Sequence, residues 1–427
     1  MILKENFIKA FWLCFLIPFS LLSQNVQNPI LSSIEYEGLK STKVDYLQYF
    51  LDTRVGEIID LSTLKKDIQR LQNLSSISKA DFELDTVGNA VLLKVKVEEA
   101  TTLFPIVNFG GVRGNFWFQL GLNDTHFLGK GIHFSGYYAN IDGRNNGNLF
   151  FKLPFALGRR LGLSGSALRY ASTEPLFFDG QGVFFDYTNT SLALSGIYQI
   201  NRRQSLELGG TYFVEDYQKD ERHLAETTPG PEELTQPKIL GKLFHRFDKI
   251  NYHFFYVFGF DNSSNFQSVY NLDDQSVFNI FINETRLFKR VGLKGNIATR
   301  FRVGISTNSD SPFAPFVIDS QFNIRGSGNR IDRGTAAVIL NIEYRHTVLE
   351  KKRYAIQAVG FSDIGNWRSP GGNLGELSGF DNYRHFAGVG FRIINKRAFD
   401  SMLRVDFGID LYNANERGFV IGSGQYF

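Results

Sequence analysis

The chain has 427 residues, and 42 of them are Phe, 18 Tyr and 3 Trp, with Gly at 41 nearly matching Phe. An aromatic fraction of 15% excludes a disordered chain, and an apolar fraction of 43% with a mean hydropathy of −0.16 excludes a bundle of membrane helices. Lys and Arg number 46 against 43 Asp and Glu, a formal charge of +3, so no general polyanion-binding field is implied and no nucleic-acid partner is expected.

The first elements form an export signal. Lys4 and Lys9 supply positive charge, Phe11 to Leu22 is apolar, and Ser23 offers a small residue for cleavage, which predicts a signal peptide over residues 1–23. The apolar stretch, about 12 residues, falls short of the roughly 20 that a spanning helix needs. Cys14, the single cysteine, lies within it, so no disulfide or thiol chemistry is expected after cleavage. Downstream no run of 18 apolar residues occurs, and any membrane crossing must be made by strands.

Residues 29–99 predict a small α+β domain in the order strand, helix, helix, strand, strand. Ile30, Ile34 and Tyr36 lead to a turn at Gly38, and Val44 to Leu51 can form a short helix. Asp60 or Ser62 can cap a second helix with Leu61, Leu64, Ile68 and Leu71 along one stripe. Ile77 to Leu84 and Val91 to Val97 alternate as strands around a turn at Asp85 to Asn89.

From residue 102 to 427 the chain reads as strand after strand with polar, Gly-rich turns. In the clearest, Leu403, Val405, Phe407, Ile409 and Leu411 alternate with Arg404, Asp406, Gly408 and Asp410. About sixteen such segments, joined by alternately short and long connections, fit a membrane β-barrel of strands about 9–11 residues long. Asn201 to Arg203 is a tight turn, whereas Gln218 to Pro237, Ser306 to Arg333 and Ile364 to Asn382 are long. The last strand is expected to run from Gly418 to the terminal Phe427.

No Gly-x-Ser-x-Gly elbow, phosphate-binding loop or metal-ligand spacing occurs, so no catalytic residue, metal or cofactor is expected and the chain reads as no enzyme. Asp406 and Asp410 share the inward face, which places them opposite arginines in a polar lumen more readily than in a hydrolytic pair.

One constellation stands out. The long connection before the twelfth strand carries Ile324-Arg325-Gly326, that strand carries Asn341 to Arg345 with Glu343 and Arg345 facing inward, and the next ends Phe361-Ser362-Asp363-Ile364-Gly365. Upstream, Phe127-Leu128-Gly129-Lys130-Gly131 forms a turn. Together with the N-terminal domain these resemble the bacterial surface antigen superfamily of BamA-like assembly factors and two-partner secretion transporters.

The resemblance implies one POTRA domain in the periplasm before a 16-stranded antiparallel barrel in the bacterial outer membrane. It makes Arg325 a loop arginine reaching into the lumen, Asp363 its principal partner and Glu343 a second acid, with Gly326 and Gly365 completing the motifs. An enclosed arginine needs a carboxylate to hold its planar fork, and removing one partner of a fully buried pair costs about 3–5 kcal/mol. Two departures are visible: Ser327 follows Gly326 where the family has an aromatic residue, and room exists for only one POTRA domain.

Gly110 and Gly111 in the first barrel strand, and Gly422, Gly424 and Phe427 in the last, mark the closing seam, where glycine weakens pairing. A seam that opens offers an edge to a client strand. The expected function is insertion of unfolded outer-membrane clients, received through the POTRA domain, into lipid. Polypeptide transport through the lumen and a passive pore are the alternatives. Membrane lipids are the surroundings, and accessory periplasmic or lipoprotein subunits are compatible with this reading.

Overall fold

The computed structural model describes residues 30–427 apart from 88–89, 113–114, 142, 179–180, 221–228, 254, 309–312, 320–321, 329–331 and 397–401. The predicted signal peptide and Cys14 lie outside the described residues.

The N-terminal unit has the order β1 (Ile30–Glu37), α1 (Val44–Gln48), α2 (Leu61–Gln72), β2 (Ile77–Val87) and β3 (Ala90–Glu99). Its sheet order is β1-β3-β2, with β1 parallel and β2 antiparallel to β3, so β2 is an edge. Asp60 caps α2 by accepting from the backbone N–H groups of Ser62 and Thr63, as Asp at such a position should. Leu64, Ile68 and Leu71 then pack on Leu47, Leu93, Val95 and Val97. Leu61 was expected in this stripe but is exposed at the first position of α2, and the stripe starts at Leu64.

The barrel begins with β4 (Leu103–Val112), β5 (Asn115–Phe127), β6 (Ile132–Ile141), β7 (Arg144–Leu153) and β8 (Leu161–Phe178). It continues through β9 (Gln181–Asn201), β10 (Gln204–Lys219), β11 (Glu233–His253), β12 (Tyr256–Asn271), β13 (Val277–Val291) and β14 (Gly295–Ser306). A small hairpin, β15 (Phe316–Val317) with β16 (Arg333–Gly334), interrupts it. Then follow β17 (Ala336–Glu350), β18 (Tyr354–Arg368), β19 (Tyr383–Asn395), β20 (Met402–Asp410) and β21 (Arg417–Ser423). Sixteen antiparallel strands close through β21 and β4.

Burial identifies the solvent. On β20, Leu403, Val405 and Phe407 are 42%, 38% and 46% exposed, whereas Arg404 and Asp406 between them are 7% and 1%. Charges inside and apolar side chains outside is the inverse of a soluble sandwich and is the pattern of a barrel in lipid. Among the described residues no helix is long and apolar enough to cross a membrane.

Three expectations change. The strands β8 to β11 run 18, 21, 16 and 21 residues, longer than the expected length, and the connection predicted at Gln218 to Pro237 is partly strand, since β10 continues to Lys219 and β11 starts at Glu233. Their upper parts are polar outside, as at Asp186, Asp216 and Thr235, and aromatic inside, where Phe185, Tyr187 and Tyr217 pack together. The final strand does not run to the terminus. It stops at Ser423, and Gly424 with φ +81° turns the last residues inward, leaving Tyr426 and Phe427 buried against Ile250, Val257 and Phe288.

Candidate functional site

The connection between β14 and β17 folds into the lumen and carries Arg325 to its centre, where the side chain has no exposure. Its Nε and Nη2 donate to the two oxygens of Asp363 on β18 at 2.8 and 2.9 Å, and its backbone N–H donates to the same carboxylate at 3.0 Å. Nη1 donates to Glu343 on β17 at 2.5 Å. This planar fork is fully engaged, the geometry that favours arginine over lysine.

The cluster extends beyond these residues. Arg345 also bonds Glu343, Arg392 on β19 donates to Asp406 on β20 at 2.7 Å, and Asp406 lies 3.8 Å from Arg325. Three carboxylates thus face Arg325, Arg345 and Arg392, which explains how so many charges remain in one enclosed place. Arg300 of β14 helps hold the loop by donating to Asn341 at 2.9 Å, and Asn341 in turn donates to the Asn323 carbonyl at 2.8 Å.

Glycines permit the approach. Gly326 has φ +95°, and a Cβ there would meet the Gly408 carbonyl oxygen at 2.7 Å. A Cβ on Gly365 would meet Ile324 Cδ1 at 2.5 Å. Ser327 occupies the position where the resemblance led us to expect an aromatic ring. It is buried, and its hydroxyl donates back to the Ile324 carbonyl at 2.8 Å. Aromatic cover for Arg325 comes from elsewhere: Phe361 at 3.8 Å and Tyr426 at 4.5 Å from the guanidinium carbon.

The turn motif serves a different purpose. Leu128, Gly129 and Gly131 have φ of 59°, 73° and 68°, and the turn docks the N-terminal unit. The Gly129 carbonyl accepts from Lys43 N–H at 3.0 Å, and a Cβ on Gly131 would strike the Tyr46 ring at 2.3 Å. His126 Nε2 lies 3.1 Å from the Thr42 hydroxyl, and its Nδ1 accepts from Gly131 N–H at 3.0 Å. Burial lowers its pKa below the usual histidine value, although Glu99 and Asp124 pull the other way. Burial would raise Glu99, but N–H groups of Lys40, Thr42 and Ser41 and the Ser41 hydroxyl outweigh it and hold the carboxyl at about 2. Arg202, in the tight turn after β9, reaches into the same unit and donates to the Phe50 carbonyl at 2.7 Å while pairing with Asp52. A cavity of about 200 Å³ separates edge strand β2 from the rim, lined by Ile77, Tyr252, Phe255, Ile394, Met402 and Gln425.

At the seam, β21 meets β4 at three positions, Phe419 with Gly111, Val420 with Gly110 and Ile421 with Phe109. Gly110 lies under the Trp117 ring, which a Cβ would meet at 3.0 Å, and a Cβ on Gly422 would meet Asn108 Oδ1 at 2.6 Å. These glycines therefore allow close packing. Gly424 and Phe427, predicted in the seam, are not part of its ladder, because the turn at Gly424 carries Phe427 into the lumen.

Neither a protein-family model nor a curated protein sequence matches this chain. Solved structures do. BamA from Haemophilus ducreyi lacking POTRA domains 1–3 aligns with a TM-score of 0.53 at 15% identity over 92% of this chain and 84% of that one. CdiB from Acinetobacter baumannii aligns at 0.58 and 15% identity over 93% and 74%, and CdiB from Escherichia coli at 0.62 and 11% identity over 93% and 77%. The chain has the fold of BamA and CdiB. That fold carries the barrel and the N-terminal unit beneath it. The resemblance implied that Arg325, Glu343 and Asp363 meet, whereas Arg392, Asp406 and Gly408 lacked a motif, their only signal being inward parity on β19 and β20.

Proposed function

We propose that this protein is an outer-membrane assembly factor of the BamA type, which takes unfolded clients at its N-terminal domain and inserts them by strand addition at the seam between β4 and β21. The carrying observation is the seam itself: three paired positions join strands in a barrel whose other neighbours pair along most of their length. A short ladder costs least to open, and an opened edge accepts another strand. In this reading the N-terminal unit is a POTRA domain in the periplasm, with edge strand β2 offering main-chain hydrogen bonds to an extended client. No ATP site is needed, because client folding in lipid supplies the free energy.

Transport through the lumen, the activity of CdiB-type proteins, is the second reading. The wall at β8 and β9 favours it, since Ser164 is directly opposite Ser195 there and Ser166 and Ser191 pair with Ala193 and Leu168, leaving few large side chains on that stretch. Depletion followed by an outer-membrane proteome decides between the two. Loss of many barrels supports insertion, and loss of one secreted protein with barrels unchanged replaces it with transport.

A further inference from the structure

We propose that the barrel holds an anionic phospholipid on its outer wall at β18, with the phosphate on Lys351, Lys352 and Arg353 in the turn after β17 and one acyl chain running up the strand. The reading above supplies only the leaflet, since it puts the rim that carries the N-terminal unit on the periplasmic side; the site itself needs only a barrel in lipid.

The charge comes from two adjoining turns. The Lys351 N–H donates to the Tyr354 carbonyl at 2.9 Å, so Lys351, Lys352 and Arg353 project from one tight hairpin, and all three are exposed. Among the described residues none of the three has a carboxylate partner, because the nearby Glu350 pairs with Lys396 at 2.7 Å instead. The turn after β13 joins this one through the Thr347 N–H, which donates to the Lys294 carbonyl at 2.9 Å, and it adds the exposed Lys289 and Lys294. Such a cluster attracts an anionic headgroup. The N-terminal unit bonds the rim at Gly129, Arg202 and Asn251, which lie on another arc.

Apolar side chains reach the same level. Leu293, at the tip of the turn after β13, is 88% exposed, and Val291, Val348 and Leu349 are exposed as well. In lipid such a patch is covered, which sets the hydrocarbon edge at these turns and the cations at headgroup depth, with their stems in the apolar layer.

Above the turn, β18 offers a path for a chain. Its outward positions are Tyr354, Ile356, Ala358 and Gly360. Gly360 lies between Tyr344 of β17 and Val389 of β19, and Ala358 between His346 and Phe391. A Cβ on Gly360 would meet nothing within 4 Å. The walls of this trough stand two strand spacings apart, about 9.5 Å, which leaves room for a single chain once the wall side chains are counted. At about 3.3 Å per residue and a tilt near 40°, Gly360 stands about 18 Å from Arg353 along the membrane normal, roughly one leaflet of hydrocarbon. A chain that fills the trough therefore brings its phosphate to the basic turn.

Native mass spectrometry of the full-length protein, delipidated in detergent and titrated with dioleoyl phosphatidylglycerol or dioleoyl phosphatidylcholine, tests this without any client. The two lipids share their chains and differ in charge. The wild type should bind phosphatidylglycerol about tenfold more tightly, and Lys351→Gln/Lys352→Gln/Arg353→Gln should lose that preference. Lys40→Gln/Lys65→Gln/Lys66→Gln removes the same charge from exposed positions of the N-terminal unit and should keep it. Gly360→Leu fills the trough and should weaken both lipids while the preference stays. With each variant shown to be folded by heat-modifiable mobility, an unchanged preference in the turn variant, an equal loss in the N-terminal control or unaltered binding in Gly360→Leu overturns the site. Displacement of the lipid by an equal concentration of glycerol phosphate also overturns it, since the turn would then hold phosphate without a chain. Failure here leaves the insertion reading standing, and failure of that reading in the proteome leaves this site standing.

Discussion

Gly408 of β20 and Arg325 of the lumen loop are in backbone contact: a Cβ on Gly408 would lie 2.2 Å from the Arg325 carbonyl oxygen. The arginine's position is thus fixed from behind by an absent side chain as well as from in front by Asp363. Gly408→Ala leaves every charge in place and still must lift the loop. Overpacking of this kind costs about 1–3 kcal/mol, so the variant should unfold at lower temperature in heat-modifiability assays and expose the loop between β14 and β17 to protease. Wild-type behaviour in both would show that the loop does not sit against β20.

Asp363 tests the charge cluster. Asp363→Asn keeps the shape but leaves the fork of Arg325 with Glu343 as its only hydrogen-bonded carboxylate and Asp406 at 3.8 Å. Removing one partner from a buried pair costs about 3–5 kcal/mol, and the neighbouring acids should bring this variant to the low end. Asp363→Arg should cost more and should displace the loop, whereas Glu232→Arg, at an exposed acid that pairs with Lys219 at 3.0 Å, should cost less and should leave the loop in place. Equal stability of the two Asp363 variants and the wild type in denaturant titrations would remove the pair from any structural role.

Docking of the N-terminal unit should depend on pH. His126 is held neutral in the docked state, with its pKa depressed mainly by burial. A released histidine near 6.5 binds a proton that the docked one does not, so docking is strongest above about pH 6.5 and weakens as pH falls through that value. Cleavage by protease between residues 99 and 103 should accelerate at pH 5.5 relative to 7.5. His126→Gln, neutral at both, should flatten the profile, and an unaltered profile in that variant would assign the pH dependence to another group.

Parity made much of this legible in the sequence. Alternation on a strand such as β20 gives the inward and outward faces directly, and Glu343 and Arg345 share a face by counting alone. Arg325 and Asp363 were readable because their motifs are local. The strand lengths of β8 to β11 were not, since the lipid-facing alternation ends where polar outward residues begin, and only cross-strand pairing above the lipid shows that the strands continue. The inward turn at Gly424 was missed for a similar reason. A terminal Tyr-Phe suits an interface strand as well as a lumen, and the choice depends on arginines more than a hundred residues away in some cases, such as Arg300.

The seam provides the last test, because it separates insertion from a static pore. Phe109 of β4 and Ile421 of β21 are directly opposite and face outward, so cysteines there can bridge the closure without entering the lumen cluster. Directly opposite residues place their Cβ atoms about 4.5–5.5 Å apart, which strand twist can bring to disulfide range. Replacing Cys14 as well removes the only other thiol in the chain. If clients enter by lateral opening, the oxidised Phe109→Cys/Ile421→Cys protein should stay folded and lose client assembly, and reduction should restore it. Loss of activity in either single-cysteine variant would instead point to disturbed packing. Full activity of the verified cross-linked form, with the barrel intact by heat-modifiable mobility, would rule out opening at β4 and β21 and leave passage through the lumen, or a passive pore, as the readings that remain.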